Sequence, residues 1–435
     1  MTSLNLSDFS QASHTIVVSD IHLADAEPPH PTNPLWKRFK RPAHFVDRTF
    51  RKFLDWVQAQ AAHPIELILN GDIFDFDSVM ALPKDGRFRM SWLERRRGLA
   101  SEEPKSRFKI AVILKDHDIW RQSIRDFIRA GNRVVFVIGN HDMELHWPGV
   151  QRDILDLLEL KGEERDRVRF CEWFYVSNRD TLVEHGNQYD TYSVCPNPVN
   201  PLIRKRSRIL VRIPFGNLAG KYMLNGMGLM NPHASESFIK NSIIEYIVFW
   251  YRYVVRTQPF IIWTWFWSAW VTFYYCVAEG LLPALSDPLT IEKRVGEIAR
   301  RANSEPETAR TLRELHAHSA VYNPIQMTQE LWLDRAALLG LVFFVAFQVF
   351  SVFNLFGGRS VWWFLLPLIL FLPIFIFYSR SVISIVEDAQ RPAFEKSPLA
   401  ARVSGVARVI QGHTHVERHT SIEGVEYLNT GTWSP

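Results

Sequence analysis

The pattern of hydrophobic and polar positions along the chain contains two kinds of apolar segment. Segments of the first kind are short. They are rich in β-branched and aliphatic side chains and end in a polar cluster, which is typical of buried strands. Four such runs lie at residues 15–18, 65–69, 134–138 and 407–410. They predict an α/β fold in which the polar residues that follow each strand meet at one edge of a sheet.

The second kind of apolar segment is long, and three examples lie between residues 259 and 378. Residues 259–285 carry one charged side chain, Glu279, whereas residues 336–356 and 361–378 carry none. A bilayer requires about 20 helical residues at 1.5 Å each, so each run is long enough to cross it. A buried helix of a soluble protein is the alternative for each run.

The order of the segments constrains the topology of a membrane protein. Because the last predicted strand returns to the sheet edge reached by the first three, the chain must cross the membrane an even number of times. Residues 259–285 therefore either lie flat or re-enter the membrane, which gives two crossings, or residues 238–255 form a fourth span. The short connection at residues 256–259 suits a hairpin and favours four crossings.

Composition and charge bear on the partners of the protein. The 15 Trp and 30 Phe concentrate between residues 238 and 378, and the formal net charge of +4 is too small to require nucleic acid. Basic residues interleave with apolar ones at residues 36–41 and 202–206, and three arginines stand at 95–97. Such groups attract anionic headgroups, although a solvated basic face fits each run equally well. Beside an apolar insert, the first two runs favour a lipid bilayer as partner.

Two further features predict the cellular location. Residues 1–14 are polar and lack the apolar core of a signal peptide, so we expect the α/β domain to face the cytoplasm. Cys171, Cys195 and Cys276 form no close-spaced pair, and no structural disulfide is needed. The prediction is a multi-pass membrane protein whose α/β domain is cytoplasmic.

Five polar motifs carry the candidate chemistry. They supply carboxylate and amide oxygens and imidazole nitrogens, the mixture that borderline divalent metals prefer, in numbers sufficient for two ions. In chain order they are Asp20-Ile21-His22, Gly71-Asp72-Ile73-Phe74-Asp75, Gly139-Asn140-His141-Asp142, His185-Gly186 and Gly412-His413-Thr414-His415. Asp116-His117-Asp118 is interpreted instead as a helix cap that follows a strand ending near Leu114.

The motifs and their order resemble the calcineurin-like metallophosphoesterase superfamily, over residues 14 to about 195 and about 400 to 435. The resemblance implies that one metal is held by Asp20, His22 and His415. It implies that the other is held by Asn140, His185 and His413, and that Asp72 bridges the two. It further implies that His141 protonates the leaving oxygen, that Asp142 orients its ring, and that Asp75 orients a ligand.

The fold implied is α/β, a metallophosphoesterase β-sandwich flanked by helices, with a membrane-embedded helical insert. We expect the first part of the phosphoesterase domain at residues 1–200, the insert with a polar cytoplasmic connector at 201–399, and the last part at 400–435. The predicted function is metal-dependent hydrolysis of a phosphoester or pyrophosphate bond in a lipid or lipid-linked substrate. Manganese is the first choice for the two divalent ions, with iron and zinc as alternatives.

The position of the insert is similar to that of the helical lid in UDP-2,3-diacylglucosamine pyrophosphohydrolases, between the fourth and fifth motifs. Those enzymes tend to carry arginine and aspartate where this chain has His141 and Asn187. Two other functions stay open. One is a membrane-tethered phosphodiesterase or phosphatase acting on soluble nucleotides or other soluble phosphoesters, and the other is a non-catalytic binding module, which the complete ligand set disfavours.

Overall fold

The computed structural model describes residues 9, 11–30, 36–61, 64–227, 251, 260–285, 288–358, 360–381 and 391–433. Its fold is mixed α/β, with helices packed against the sheets. The strands are β1 (His14–Val18), β2 (Ile65–Asn70), β3 (Arg133–Val137), β4 (Val168–Cys171), β5 (Phe174–Ser177), β6 (Thr181–Glu184), β7 (Leu202–Lys205), β8 (Arg208–Val211), β9 (Arg408–Gln411), β10 (Arg418–Ile422) and β11 (Val425–Asn429).

The helices fall into a group before residue 228 and a group after residue 260. The first group is α1 (Asp47–Gln60), α2 (Trp92–Arg97), α3 (Glu103–Asp116), α4 (Asp118–Arg129), α5 (Pro148–Leu157), α6 (Glu163–Asp166), α7 (Phe215–Ala219) and α8 (Asn225–Met227), with a π-helix at Gly220–Leu224. The second group is α9 (Ile261–Gly280), α10 (Pro288–Arg301), α11 (Pro306–Glu314), α12 (Pro324–Glu330), α13 (Leu333–Leu355), α14 (Leu365–Ser381) and α15 (Arg391–Ser404).

Two sheets position the motifs. The first is parallel, in the order β1-β2-β3-β4, and the second is mixed, in the order β10-β11-β9-β6-β5. Ile68 and Val135 of the first sheet share a buried cluster with Tyr175 and Val183 of the second, so one face of each sheet contributes to the same core. The strands predicted at the first, second, third and fifth motifs are confirmed.

The last two strands form a hairpin that turns at Glu423 and Gly424. Both residues adopt a positive φ, of 49° and 81°. Two consecutive positive φ angles match the twist of a tight antiparallel hairpin, and β10 and β11 pair across this turn.

One predicted strand is wrong. The run that ends near Leu114 is the helix α3, because Ile110, Ile113 and Leu114 are spaced to bury one helical face. His117 then joins two helices and does not cap one with its ring, which contacts Asp47 Oδ1 at 2.8 Å and the carbonyl of Ala24 at 2.9 Å.

Much of the region predicted as insert packs against the domain that carries the motifs. Ala269 and Cys276 of α9 belong to the main hydrophobic cluster. Val295 and Ile298 of α10, with Leu312 of α11, are buried with residues of the second sheet. The burial of these residues makes α9, α10 and α11 part of the domain that carries the motifs.

Two of the described helices are long and apolar enough to cross a membrane, Leu333–Leu355 and Val361–Ser379. Only 6% and 0% of their most apolar windows are buried, the opposite of what a helix in a soluble core requires. Residues 238–255, the predicted fourth span, lie outside the described residues apart from Tyr251.

The remaining apolar run, residues 259–285, forms α9 and is not one of these two helices. Ser268, Thr272 and Cys276 lie on one buried face of α9. The opposite face exposes Trp263, Trp267, Trp270 and Tyr274. A helix with one face on protein and an aromatic face outward has the pattern of a segment that lies along a bilayer surface.

Candidate metal centre

Each of the five motifs follows the last residue of a strand. The first three follow β1, β2 and β3 of the parallel sheet, and the last two follow β6 and β9 of the mixed sheet. Parallel strands deliver their C-terminal ends to one edge, and the parallel pairing of β6 with β9 does the same in the second sheet. The motifs therefore converge, although they are up to 395 residues apart in a 435-residue chain.

The backbone at the motifs is strained in a uniform way. Five of the predicted metal ligands have φ between 52° and 67°, a region that non-glycine residues rarely adopt, and they are Asp20, His22, Asp72, His413 and His415. Each such conformation costs about 1–3 kcal/mol and persists where surrounding structure enforces it, most often at functional sites. The strain indicates that the fold holds these side chains in directions that an ordinary loop would not give them.

Three motif glycines are required by close approach of neighbouring chains. A Cβ on Gly139 would lie 2.6 Å from the backbone nitrogen of Asp72, and one on Gly71 would lie 2.7 Å from Cβ of His185. A Cβ on Gly412 would lie 2.8 Å from Cβ of Ser19. Real Cβ atoms do not come this close, so any other residue would push the ligand-bearing loops apart.

Asp20, His22 and His415 form the first ligand cluster. Nε2 of His415 lies 3.2 Å from both Oδ1 of Asp20 and Nε2 of His22. The other carboxylate oxygen of Asp20 accepts hydrogen bonds from the Ser19 hydroxyl and, at 3.1 Å, from the backbone of His413. Oδ1 of Asp20 is buried without a hydrogen bond, which leaves it directed at the cluster.

Asp72, His185 and His413 form the second cluster. Nδ1 of His185 donates to the carbonyl of Asn70 at 2.9 Å, so Nε2, which lies 3.1 Å from Asp72, is the nitrogen left for a ligand. Nε2 of His413 donates to Asp190 at 2.9 Å, which leaves Nδ1. Fixing one ring nitrogen in this way is how proteins orient histidine ligands.

Asp72 lies between the two clusters. It is grouped with His185 and His413 on one side and with His22 and His141 on the other. Burial would raise the pKa of its carboxyl, but the neighbouring His185 and His141 outweigh burial and hold the pKa well below its usual value. An ionised carboxylate in this position suits the bridging role that the family resemblance implies.

His141 contacts a carboxylate other than the one predicted to orient it. Its Nδ1 lies 3.2 Å from Oδ1 of Asp75, whereas Asp142 accepts hydrogen bonds from the backbone of Gly139 at 2.6 Å and Ile73 at 3.0 Å. Asp75 is thus in position to orient the ring, and Asp142 joins the two motif loops. The ring centroid of His141 lies 5.0 Å from that of His22, beside the first cluster.

The residues present fit two divalent cations. Asp20 Oδ1 and Asn140 Oδ1 are buried and accept no hydrogen bond, a condition that costs about 1–3 kcal/mol per group when nothing else satisfies it. Both are hard oxygens, and the imidazole nitrogens beside them complete a donor set typical of Mn, Fe or Zn. The identity of the metal is not fixed by this set.

Sequence reasoning missed two polar residues of the centre, Asp190 and Asn217. Asp190 lies in a tight turn, where it accepts hydrogen bonds from Tyr192 and Ser193 as well as from His413. Asn217 Oδ1 accepts a hydrogen bond from Asn140 at 3.1 Å. Neither residue belongs to a motif, so only their proximity in the fold distinguishes them from other aspartates and asparagines.

The contact between Asp75 and His141 predicts a shift in pH dependence. Burial would lower the pKa of His141, but Asp75 and Asp72 outweigh it and raise the pKa to about 10. A general acid works only below its pKa, so Asp75→Asn, by removing a negative charge, should move the alkaline limb of kcat/KM to lower pH. Bound cations oppose the carboxylates in parent and variant alike, so the difference between the two profiles is the quantity to measure.

Ser78→Ala is the matched control for this measurement. It removes a hydrogen bond to the same carboxylate, from the Ser78 hydroxyl, without changing charge. We expect its alkaline limb to stay near that of the parent. An unshifted limb in Asp75→Asn would show that His141 is not the acid.

The calcineurin-like phosphoesterase family model matches residues 13–210 of the chain. The match contains the first four motifs, and the fifth, at residues 412–415, reaches them through β9. A search of curated proteins found none that matches the chain.

Proposed function

We propose that this chain, whose residues 13–210 belong to the calcineurin-like phosphoesterase family, hydrolyses a phosphorylated lipid or lipid-linked substrate at a membrane surface. Its membership makes it a metal-dependent phosphoester hydrolase. The further step, from phosphoester to lipid, is supported by one observation. Two exposed apolar helices, α13 and α14, are joined directly to the domain that carries the metal centre.

The helical pair begins in the core of the domain. Leu333 and Arg335, at the start of α13, are buried, and Leu333 belongs to the main core cluster. The hydroxyl of Tyr378, near the end of α14, donates to Asp334 at 2.9 Å, so the end of α14 lies beside the start of α13. This supports two crossings by α13 and α14, with α9 lying along the bilayer surface on its aromatic face.

The proposed domain boundaries follow from this packing. We assign the membrane-embedded insert to residues 333–381 and the rest of the predicted insert to the phosphoesterase domain, of which residues 1–200 and 400–435 are the first and last parts. The two sheets that share the Ile68–Tyr175 cluster would be the two layers of the predicted β-sandwich. We place this domain on the cytoplasmic side of the membrane.

Each side chain of the centre has a proposed role. Asp20, His22 and His415 would hold one cation, Asn140, His185 and His413 the other, and Asp72 both. When bound, two such cations lower the pKa of a shared water and neutralise the phosphoryl oxygens that it attacks. His141, protonated and held by Asp75, would deliver a proton to the departing oxygen, a contribution of about 10²–10⁴ in rate.

Manganese is our first choice for a cytoplasmic site of oxygen and imidazole donors, ahead of iron and zinc. The narrower resemblance to UDP-2,3-diacylglucosamine pyrophosphohydrolases stays a prediction. A tethered enzyme for soluble nucleotides is the second candidate, because the centre itself carries no feature that requires a lipid. The complete ligand set argues against a binding module.

The test is a comparison of substrates with the full-length chain in nanodiscs. Lipid phosphoesters, lipid-linked pyrophosphates and water-soluble analogues with the same leaving group should all be hydrolysed with Mn²⁺ and none after chelation. We expect kcat/KM for the best lipid to exceed that of its soluble analogue by at least about tenfold, since the membrane segment would concentrate the lipid at the site. Equal values for both would favour the enzyme of soluble substrates, and no hydrolysis of any would leave the binding module.

A further inference from the structure

The amide of Asn140 can present either of two different atoms to a cation. Its side chain carries one oxygen and one NH₂ group of nearly equal shape, and only the oxygen can bind a metal. The NH₂ group donates to Oδ1 of Asn217 at 3.1 Å, and the oxygen is buried without a hydrogen bond. Asn217 therefore holds the Asn140 amide in the orientation that leaves its oxygen available to a cation.

Asn217 is itself oriented by a carboxylate. Its NH₂ group donates to Oδ2 of Asp77 at 3.1 Å. Because this contact occupies the NH₂ group of Asn217, the oxygen of Asn217 is the atom left to face Asn140. All three side chains are at least 97% buried, so water does not compete for these contacts.

Asn217 comes from outside the matched part of the chain. It lies on α7, seven residues after the family match ends at 210. The segment from α7 to α8 packs between the site and α9, where Arg97 donates to the carbonyl of Tyr222 at 3.0 Å and Tyr222 stacks near Tyr275 with ring centroids 5.0 Å apart. Through this segment the metal centre is linked to α9, the helix with the exposed aromatic face.

We propose that Asn217 is a positioning residue, which with Asp77 fixes the Asn140 amide so that its oxygen faces the second metal. The affinity of that metal then depends on a segment that lies outside the family match. The inference rests on the proposed metal centre and deepens it. It assigns no contact between Asn217 and the substrate.

The alternative is that Asn217 is merely a buried amide that supports the fold. Asn225 provides a matched control, because it is also buried, lies on the same segment and donates to the backbone carbonyl of Asp77 at 2.8 Å. Its NH₂ group donates to the backbone carbonyls of Asp77 and Arg97, and these contacts involve neither Asn140 nor the Asp77 carboxylate. Asn225→Ala therefore removes an equivalent amide without touching the orienting contacts.

The experiment is a Mn²⁺ titration of the full-length chain in detergent, followed by metal analysis and by the spin-coupling signal of the metal pair. Asn217→Ala should weaken the second Mn²⁺ by about 10- to 100-fold, the usual effect of losing a group that orients a ligand, and leave the first site unchanged. At limiting metal the variant should retain one ion per chain where the parent retains two. Asn225→Ala should bind both ions as the parent does.

Two substitutions at Asp77 test the orientation argument separately from packing. Asp77→Asn keeps the shape of the side chain but can offer its NH₂ group to Asn217 in place of an oxygen, so it should weaken the second Mn²⁺ by at least about threefold, and Asp77→Leu, which cannot accept, should behave like Asn217→Ala. Equal second-site affinities in Asn217→Ala, Asn225→Ala and the parent would overturn the inference. A parent that bound no metal pair would instead overturn the proposed function.

Discussion

Replacing Asp72 with asparagine should reduce turnover by about a thousandfold or more and prevent the protein from retaining two metals. Asp72 is buried between the two ligand clusters, and its carboxylate carries the negative charge that faces His185 and His141. An asparagine keeps the shape and one acceptor but removes that charge. Two cations a few ångströms apart would then lack the anion that offsets their mutual repulsion, and the shared water would lose its acidity.

The measurement is the metal content per chain together with kcat for a small chromogenic phosphodiester. Asp47→Asn is the matched control, because Asp47 is also buried and contacts a histidine, His117, at 2.8 Å, outside the metal clusters. The control should keep two metals and its turnover even if the protein becomes less stable. Two retained metals with full turnover in Asp72→Asn would show that the bridge is assigned to the wrong residue.

The clustering of the candidate ligands could be predicted because its information is local. Each motif follows a short apolar strand, and strands of this kind are recognisable from sequence alone. The exception is β6, in front of His185, whose four residues begin with Thr181 and end with Glu184 and so lack a continuous apolar run. There the family resemblance, rather than the pattern, identified the ligand.

The orienting residues could not be predicted, because their information is not local. Asp142 is next to His141 in sequence, yet the Asp142 carboxylate accepts hydrogen bonds from the backbone of Gly139 and Ile73. The carboxylate that contacts the His141 ring belongs to Asp75, which is 66 residues away. Asp190 and Asn217 are likewise joined to their ligands only by the fold. A pattern that reads neighbouring residues has no access to such contacts.

The apolar helices mark a second limit of sequence reasoning. By its length and low charge, α9 resembles α13 and α14. In the structure, however, α9 buries Ala269 and Cys276 in the core, whereas α13 exposes nearly all of its side chains. What separates them is a face of small residues on α9, including Ser268 and Thr272, that fits against the domain. Such a face becomes recognisable only when its partner is known.

The packing of α9 decides which residues can be deleted in an experiment that tests the substrate. Removing the whole apolar region would also remove α9, α10 and α11, and would expose the core residues that they cover. Residues 338–376 can be replaced alone. Because Tyr378 contacts Asp334, the cut ends lie close enough for a short glycine and serine linker to join them without pulling on the core.

Replacing residues 338–376 in this way should abolish hydrolysis of a lipid substrate in bilayers, while hydrolysis of a small soluble phosphodiester stays within about threefold of the parent. The metal ligands lie outside the replaced residues, so their chemistry should persist, whereas the apolar surface that would hold the domain at the bilayer is lost. Both activities are measured on protein shown to retain two metals. Loss of the soluble activity together with the metals would mean that the hairpin is needed for folding of the site.

A second variant separates a tether from a surface that presents the substrate. The shortened protein can be anchored to the same bilayer by an unrelated N-terminal transmembrane helix, which restores proximity but not the position of the insert between His185 and His413. An anchor at either end of the chain would raise the local concentration of the domain at the bilayer equally well. If the hairpin were only a tether, lipid hydrolysis should therefore recover fully. Because the insert is continuous with the domain through the buried Leu333 and Arg335, we expect recovery to remain below about a tenth of the parental rate. Full recovery would assign the hairpin to anchoring alone and would return the choice of substrate to the metal centre and the loops around it.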